Sequence, residues 1–332
     1  FLTPWLRSIG QRLRFRRRKV AKQVHSQRKP HPRSAVVETL EDRTLLTVDI
    51  TSVATAAGTA TFTGDQTAAD DADALVLSVS GGNLAHNLQA IGTLTYDSNT
   101  DFDPGTAGTQ PIAVGSGSGP LLTVNLLGGN DSLTIDHSGG ALQGVHPINF
   151  SGGAGSDTLA SPDIDNTFNI TGSDSGNMGG VGTIDFSDIE NLTGGTGADT
   201  FNIASGGSLT GDIDGGGGTD TLTQADGTNT WTISSTNGGS VDDLNAFSDI
   251  ENLTGGSGPD TFNIASLVGL AGTIDGGGDS DTITQADGTN TWDITGTNSG
   301  DVTDIGSFSG IENVTGGTGA ATLNIASGAT LT

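Results

Sequence analysis

The sequence contains no cysteine, few aromatic residues, and no positive charge beyond its first 43 residues. Without cysteine, a disulfide framework is excluded. Aromatic residues make up 5% of the 332 positions, which leaves little material for the thick core of a globular enzyme domain. No apolar run is long enough to cross a membrane, and no pattern of an ordinary signal peptide is visible.

Charge divides the chain into two parts. All 12 Lys and Arg residues lie between Arg7 and Arg43, whereas 35 of the 38 acidic residues follow Arg43. The acidic part therefore has no Lys or Arg partner of its own, and a compact state of it repels itself. Divalent cations are the natural counter-ions, with salt screening as a weaker substitute. Such a surface argues against nucleic acid as a partner.

Glycine is abundant, with 54 residues, and it recurs in a regular pattern. The string GGTGADTFNIA begins at Gly194, GGSGPDTFNIA at Gly255 and GGTGAATLNIA at Gly316, so the interval is 61 residues. Units 190–250 and 251–311 are identical at 41 of 61 positions, and a partial unit spans 312–332. Isolated apolar residues within such repeats indicate a thin solenoid core instead of disorder.

The spacing of the turns predicts an all-β fold, a parallel β-solenoid of the β-helix or β-roll kind over residues 121–332. Each unit holds two glycine-rich turns 21 residues apart, which predicts three coils of about 20 residues per unit. The third corner falls near Asn237–Ser240 and Asn298–Asp301. Alternation predicts these inward-facing residues: Phe201, Ile203, Leu209, Ile213, Leu222, Trp231, Ile233, Val241, Phe247, Ile250 and Leu253.

Two segments precede the solenoid. Residues 47–120 predict a β-rich lead-in or cap, in which Leu75, Leu77 and Val79 share one face. Residues 1–46 form a basic segment, flexible or helical: an amphipathic helix that contacts anionic lipid and a solvated leader are both open.

The basic segment ends in LEDRTLL, at Leu40–Leu46. This string resembles the LEPR-xLL-type N-terminal segment of large exported bacterial surface proteins, with Asp42 in place of the usual proline. The resemblance implies export and envelope sorting, with contacts to the membrane or the export machinery. A chance helical turn is the alternative.

The turns themselves resemble the RTX (haemolysin-type) calcium-binding repeat, Gly-Gly-x-Gly-x-Asp-x-apolar-x. Four turns match in full, GGAGSDTLA, GGTGADTFN, GGGGTDTLT and GGSGPDTFN, whereas GGGDSDTIT has Asp279 in a glycine position. The resemblance implies calcium ligands at Asp157, Asp199, Asp220, Asp260 and Asp281, with an ion held between stacked turns. Stacking would join Asp199 to Asp220 and Asp260 to Asp281, while Asp157 has no partner at that spacing.

The chain departs from the RTX pattern in one respect that bears on affinity. RTX turns follow one another every nine residues, whereas here each coil of about 20 residues has one such turn and Ala321 replaces the last aspartate. We therefore expect few and weak calcium sites, in the millimolar range of extracellular modules. The alternative is that these corners hold no ion.

The other motifs give less evidence of a function. QADGTNTW at Gln224 is similar to the Asp-box of sialidase propellers but with faulty spacing, and we interpret it as a turn before a strand with Trp231 in the core. The Asn-x-Thr strings at Asn191, Asn252 and Asn313 are formal glycosylation sequons, interpreted as polar pairing at coil corners. The five histidines have no metal-ligand spacing, and no nucleophile elbow or other catalytic motif is visible.

These patterns together predict a non-enzymatic, exported, extracellular or cell-surface repeat protein whose solenoid calcium stabilises. Adhesion to cell-surface glycans or to other surface proteins is the candidate role. The alternative is the repeat region of a larger secreted enzyme or RTX-type toxin with its catalytic domain outside these residues. A polysaccharide-processing β-helix is disfavoured, because Tyr96 and three tryptophans provide few aromatic subsites.

Overall fold

A computed structural model describes residues 52–56, 59–63, 72–88, 122–140, 148–179, 184–286 and 288–332, with positions 100, 102, 109, 111 and 142. The predictions for residues 1–46 lie outside these ranges. The chain after Thr44 belongs to one compact unit. Its described part is built of strands and turns, with no helix long and apolar enough to span a membrane.

Twenty-seven strands occupy the described residues. The first eight are β1 Ser52–Ala56, β2 Thr59–Thr63, β3 Ala74–Ser80, β4 Asn83–His86, β5 Leu122–Asn125, β6 Ser132–Ile135, β7 Ile148–Ser151 and β8 Thr158–Ala160. The next ten are β9 Thr167–Gly172, β10 Ser175–Gly179, β11 Ile184–Ser187, β12 Asn191–Thr193, β13 Thr200–Ile203, β14 Leu209–Asp214, β15 Thr221–Gln224, β16 Thr230–Ser235, β17 Gly238–Val241 and β18 Leu244–Ser248. The last nine are β19 Asn252–Thr254, β20 Thr261–Ile264, β21 Leu270–Asp275, β22 Thr282–Gln285, β23 Asn290–Gly296, β24 Ser299–Val302, β25 Ile305–Ser309, β26 Asn313–Thr315 and β27 Ala321–Ile325.

The strands form two long sheets, and most neighbouring strands run parallel. The larger sheet has the order β1-β2-β5-β7-β11-β10-β9-β13-β15-β19-β21-β25-β24-β23-β27. The smaller sheet has the order β26-β22-β20-β16-β17-β18-β14-β12-β8-β6-β3-β4. In the repeat region the chain passes from one sheet to the other at each corner turn. The prediction of an all-β fold with solenoid-like parallel strands is therefore confirmed.

The core lies between the two sheets and consists of single apolar residues stacked row upon row. Phe201 pairs in register with Phe168 on one side and with Leu222 on the other. The rings of Phe168 and Phe201 stack with centroids 4.8 Å apart. Every inward-facing residue that alternation predicts from Phe201 to Leu253 is buried, as are Leu75, Leu77 and Val79. Alternation fixes these positions because successive side chains of a strand point to opposite faces.

The expected uniform coil of about 20 residues is not what the strand pairing shows. Leu222 pairs with Phe201, 21 residues earlier, but with Leu253, 31 residues later. The predicted third coil is instead an antiparallel meander, β16-β17-β18, that stays within the smaller sheet. Asn237, expected at a coil corner, forms the tight turn between β16 and β17 with a φ of 53°. Gly238 follows that turn as the first residue of β17, where a Cβ would lie 2.5 Å from Oγ of Ser235. The glycine signal therefore marks a turn, but its interpretation as a coil corner was wrong.

Successive units place the same sequence in opposite sheets. The strand TFNI is β13 of the larger sheet in one unit and β20 of the smaller sheet in the next, and its third copy, β27, is in the larger sheet again. The reason is that each unit crosses between the sheets an odd number of times. A unit contributes seven strands, β12–β18 or β19–β25, shared by two sheets. At a strand spacing of about 4.8 Å, one unit adds roughly 17 Å to the stack.

The strands of the lead-in lie at one end of both sheets. β1 is the terminal strand of the larger sheet and β4 of the smaller, and each pairs with its neighbour as an antiparallel hairpin. At the opposite end β27 and β26 are terminal. A capping function for the lead-in stays a prediction, consistent with the hairpins at its end.

Candidate functional site

All five aspartates that the turn motif singles out lie at corners between the sheets, with their side chains turned inward. Asp157, Asp199, Asp220, Asp260 and Asp281 are each at most 1% exposed. Each is the last residue of a glycine-rich turn and directly precedes a strand. Burying a carboxylate costs free energy unless it finds hydrogen-bond donors or a counter-charge, so the partners of these groups decide what the corners do.

The expected stacking of the aspartates is present. In each pair, the backbone N–H of one aspartate donates a hydrogen bond to the carboxylate of the other. The backbone N–H of Asp199 donates to Oδ1 of Asp220 at 2.7 Å, and that of Asp260 donates to Oδ1 of Asp281 at 2.7 Å. The expectation that Asp157 lacks a partner is wrong. The N–H of Asp131 donates to Oδ1 of Asp157 at 2.7 Å. These two stacked residues are 26 positions apart in the sequence instead of 21.

Each aspartate pair belongs to a longer column of four residues, here called a carboxylate ladder. In the second ladder the N–H of Asn166 donates to Asp199, that of Asp199 to Asp220, and that of Asp220 to Oε2 of Glu251 at 2.8 Å. The other two ladders are Asp73–Asp131–Asp157–Glu190 and Asn229–Asp260–Asp281–Glu312. Each carboxylate thus accepts a corner N–H from the preceding row.

The asparagine and glutamate ends of the ladders were missed at the sequence level. The recurring strings NT(F/W)xI and IEN(L/V)T were their signal, and the first of them also begins a further meander, β9-β10-β11, at Asn166. Asn166 and Asn229 each add a side-chain hydrogen bond from Nδ2 to the aspartate Oδ1, both at 2.9 Å. Glu251 also accepts from Nδ2 of Asn237 at 2.7 Å, which ties the ladder to the meander turn.

One oxygen of each predicted aspartate has no hydrogen-bond partner. Oδ2 is buried and unpaired in Asp157, Asp199, Asp220, Asp260 and Asp281. In the Asp199 turn this oxygen lies against the first glycine: a Cβ at Gly194 would be 2.6 Å from it and 2.5 Å from the carbonyl oxygen of Gly215 in the next row. Glycine is required there because a carboxylate oxygen and a carbonyl oxygen already fill the space of a side chain.

Burial without a counter-charge raises the pKa of these carboxyl groups. The pKa values of Asp157, Asp199 and Asp281 rise to about 6, chiefly by desolvation and despite the lowering effect of the hydrogen bonds that they accept. The pKa values of Asp220 and Asp260 are raised by the same cause. A group with such a pKa is readily neutralised by a proton or a cation.

The corners fit a calcium ion in part. The unpaired Oδ2 is the kind of ligand that a hard cation prefers, and the adjacent carbonyl provides a second oxygen. However, in the described ranges no three acidic or histidine side chains come together in a way that could hold a metal ion. A calcium shell of 6–8 oxygens would have to be completed by further carbonyls and water, and weak calcium binding stays a prediction.

The remaining motifs are structural. Trp231 is fully buried at the start of β16, as interpreted from QADGTNTW. Asn191 donates from Nδ2 to the carbonyl of Asp157 at 3.0 Å, and its Oδ1 accepts the N–H of Asp212 at 3.1 Å. Asn252 makes the corresponding bonds to Asp220 and Thr273. Asn313 donates from Nδ2 to the carbonyl of Asp281 at 3.3 Å, so the expected polar pairing of the sequon asparagines is confirmed for all three.

Comparison with family models, curated proteins and solved structures gave no significant match to this chain.

Proposed function

We propose that this chain is a non-enzymatic, exported structural repeat protein, in which the stacked sheets form a spacer at the cell surface or in the extracellular matrix and support adhesion. The observation that carries the proposal is the unbroken and mostly parallel strand pairing through which units identical at 41 of 61 positions add to both sheets. Repeats of this kind stabilise one another through neighbours and extend in one dimension.

The basic segment supports the export part of the proposal, through its resemblance to LEPR-xLL segments at Leu40–Leu46. Localisation is tested by fractionating the producing cells with an antibody against residues 121–332 and by digesting intact cells with protease. The proposal expects antigen in the medium or accessible on intact cells. Antigen found only in the cytosol, and protected until lysis, would contradict it.

Calcium is part of the proposal as a weak stabilising ligand of the corners. Its support is the buried Oδ2 atoms without partners and the 35 acidic residues that follow Arg43 without Lys or Arg. The ion would neutralise Asp199 and Asp220, or Asp260 and Asp281, in the folded state alone. Binding to the folded state alone stabilises it.

The spacer role has its own test. We expect that inserting one further copy of residues 251–311 between Ile311 and Glu312 lengthens the particle by roughly 17 Å, because seven strands add to the two sheets. Small-angle scattering on the chain with and without the insertion measures this increment. An unchanged maximum dimension would exclude the spacer role without bearing on export.

A further inference from the structure

The asparagine that begins the second carboxylate ladder is surrounded by oxygen atoms. Nδ2 of Asn166 lies 2.9 Å from Oδ1 of Asp199 and 3.1 Å from Oγ of Ser161. It also donates to the carbonyl oxygens of Pro162, at 3.0 Å, and of Ile164. An amide nitrogen has two protons, which are shared here among four acceptors. Carbonyl, hydroxyl and carboxylate oxygens that converge in this way are the ligands that a hard cation prefers.

The asparagine that begins the third ladder has a similar surrounding. Nδ2 of Asn229 lies 2.9 Å from Oδ1 of Asp260 and 3.2 Å from the carbonyl oxygens of Ala225 and Gly255. The asparagine is buried together with the carboxylate that it contacts. A buried carboxylate needs hydrogen-bond donors or a counter-charge, so the amide supplies part of what an ion would supply.

A second asparagine contacts the opposite end of each of these ladders. Asn237, at the turn between β16 and β17, donates from Nδ2 to Oε1 of Glu251 at 2.7 Å. Asn298, at the turn between β23 and β24, makes the same bond to Glu312. Among the described residues, no side-chain N–H donates to the second aspartate of either ladder. The junction between the two aspartates is therefore the one without an amide.

The first ladder, Asp73–Asp131–Asp157–Glu190, begins with an aspartate instead of an asparagine. The N–H of Asp73 donates to Oδ1 of Asp131 at 2.7 Å, in the same way as the N–H of Asn166 donates to the second ladder. The side chain of Asp73 has no amide group to add a further bond. The first ladder thus contains four carboxyl groups, whereas each of the other two contains three.

The meander turn beside the first ladder also has an aspartate in place of an asparagine. Asp174 lies between β9 and β10, and its Oδ1 accepts the N–H of Thr210 at 2.7 Å, as Oδ1 of Asn237 accepts that of Ala271 at 2.9 Å. The other oxygen of Asp174 therefore corresponds to the amide nitrogen of Asn237. A carboxylate oxygen cannot donate a hydrogen bond, so Glu190 receives no amide from this turn.

We propose that the asparagine amides take the place of calcium at the ends of the second and third ladders, and that the first ladder is the part of the chain that depends most on the ion. This role rests on the calcium binding proposed above and gives that binding a location. Asp157, which is fully buried and has an unpaired Oδ2, is the central ligand of the first ladder. In the other two ladders calcium has only the junction between the aspartates.

The test is thermal melting of the full chain, followed by circular dichroism, in chelator and in millimolar calcium. Asp174→Asn gives the first ladder the amide that it lacks, so it should raise the Tm in chelator and reduce the shift that calcium causes. Asn166→Asp removes an amide from the second ladder, so it should lower the Tm in chelator and increase the calcium shift by about 2–4 °C. The two substitutions change the charge in opposite directions.

Two control variants have the same changes of charge away from the ladders. Asp185→Asn lies on the outer face of β11, and Asn263→Asp lies on the outer face of β20. Both should leave the calcium shift as it is in the unchanged chain. If Asn166→Asp does not fold, Asp174→Asn decides the matter alone.

The possible results separate this role of the asparagines from calcium binding itself. Equal, non-zero calcium shifts in the unchanged chain and in both ladder variants would overturn the role of the amides and leave calcium binding in place. A calcium shift in Asn166→Asp but not in the unchanged chain would support the role and contradict the proposed calcium stabilisation. No calcium shift in any of them would overturn both.

Discussion

Two copies of the same turn, at Gly194–Asp199 and Gly316–Ala321, differ in their last residue and in little else. In the first copy Asp199 accepts the N–H of Asn166 and keeps one oxygen unpaired. In the second, Ala321 has no carboxylate, and a Cβ at Gly316 would be 3.3 Å from the Ala321 Cβ. Both turns nevertheless lead into a strand of the larger sheet with the same register to its neighbour, Phe201 against Phe168 and Leu323 against Trp292.

The comparison separates two functions of the motif. The apolar alternation after the turn sets the strand register, because it survives where the aspartate is missing. The aspartate adds a hydrogen-bond acceptor for the preceding row and an unpaired buried oxygen, which is where a proton or a cation would act. The fold therefore depends on the strand half of the motif, and the proposed calcium response depends on the carboxylate half.

The largest expected effect concerns the strand half. Phe201→Ala should lower the free energy of unfolding by about 3–5 kcal/mol, since this buried ring stacks on Phe168. Leu323→Ala, at the equivalent position of the last copy, should cost under about 1 kcal/mol because Leu323 is 52% exposed. Urea unfolding of both variants measures the difference. Equal losses would show that the two copies are packed alike.

A smaller effect is expected at the first glycine. Gly194→Ala should destabilise by about 1–3 kcal/mol, because its Cβ would clash with the Asp199 carboxylate and the Gly215 carbonyl. Gly316→Ala should cost about 1 kcal/mol or less, since Ala321 leaves room. Thermal melting of the two variants tests this pair, and a larger loss at Gly316 would refute the steric account.

The carboxylate half is tested by removing one corner aspartate and by restoring the aspartate that the last copy lacks. Asp260→Ala should cost about 1–2 kcal/mol, because the N–H and Nδ2 of Asn229 both lose their acceptor. Ala321→Asp would supply an acceptor to the row of Asn290, which already pairs with Ala321. We expect slower amide exchange at Asn290 in that variant. Unchanged exchange would mean that a carboxylate at this corner does not extend the ladder.

The smallest expected effect is a pH dependence in the presence of chelator. Because folding raises the pKa of Asp199 and Asp281 from the usual 3.8 to about 6, the folded state binds more protons than the unfolded state between these values. Stability should therefore rise on acidification from pH 7 to pH 5, with a gain in Tm of about 2–4 °C. Asp199→Asn should reduce the gain. A Tm that falls over this interval would contradict the assignment.

Much of the fold follows from the sequence, because alternation and repetition act locally. The inward-facing residues from Phe201 to Leu253 were predictable from period two alone. The meanders were not, since a glycine-rich turn such as Asn237–Gly238 looks the same whether it joins strands within one sheet or leads to the other sheet. The exchange of sheets between units follows from that same choice, so it could not be predicted either.

The site was predictable in part for a related reason. The glycine-aspartate pattern identified the five inward aspartates, but their hydrogen-bond partners depend on row length. Asp157 accepts the N–H of Asp131 because the turns that stack there are 26 residues apart. Glu251, at the start of the next unit, accepts the N–H of Asp220 and so ends the ladder. Which residues meet at a corner is thus a property of the stack and is not visible within one motif.

The most direct test of a calcium-stabilised solenoid is thermal melting of the full chain, followed by circular dichroism, with chelator and with millimolar calcium. The account predicts a higher Tm with calcium, since each site at tenfold excess over its Kd adds about 1.4 kcal/mol. The gain should shrink in the Asp199→Asn/Asp260→Asn variant, which keeps the side-chain oxygens that accept the backbone N–H groups of Asn166 and Asn229. The same Tm with chelator and with calcium would contradict the account.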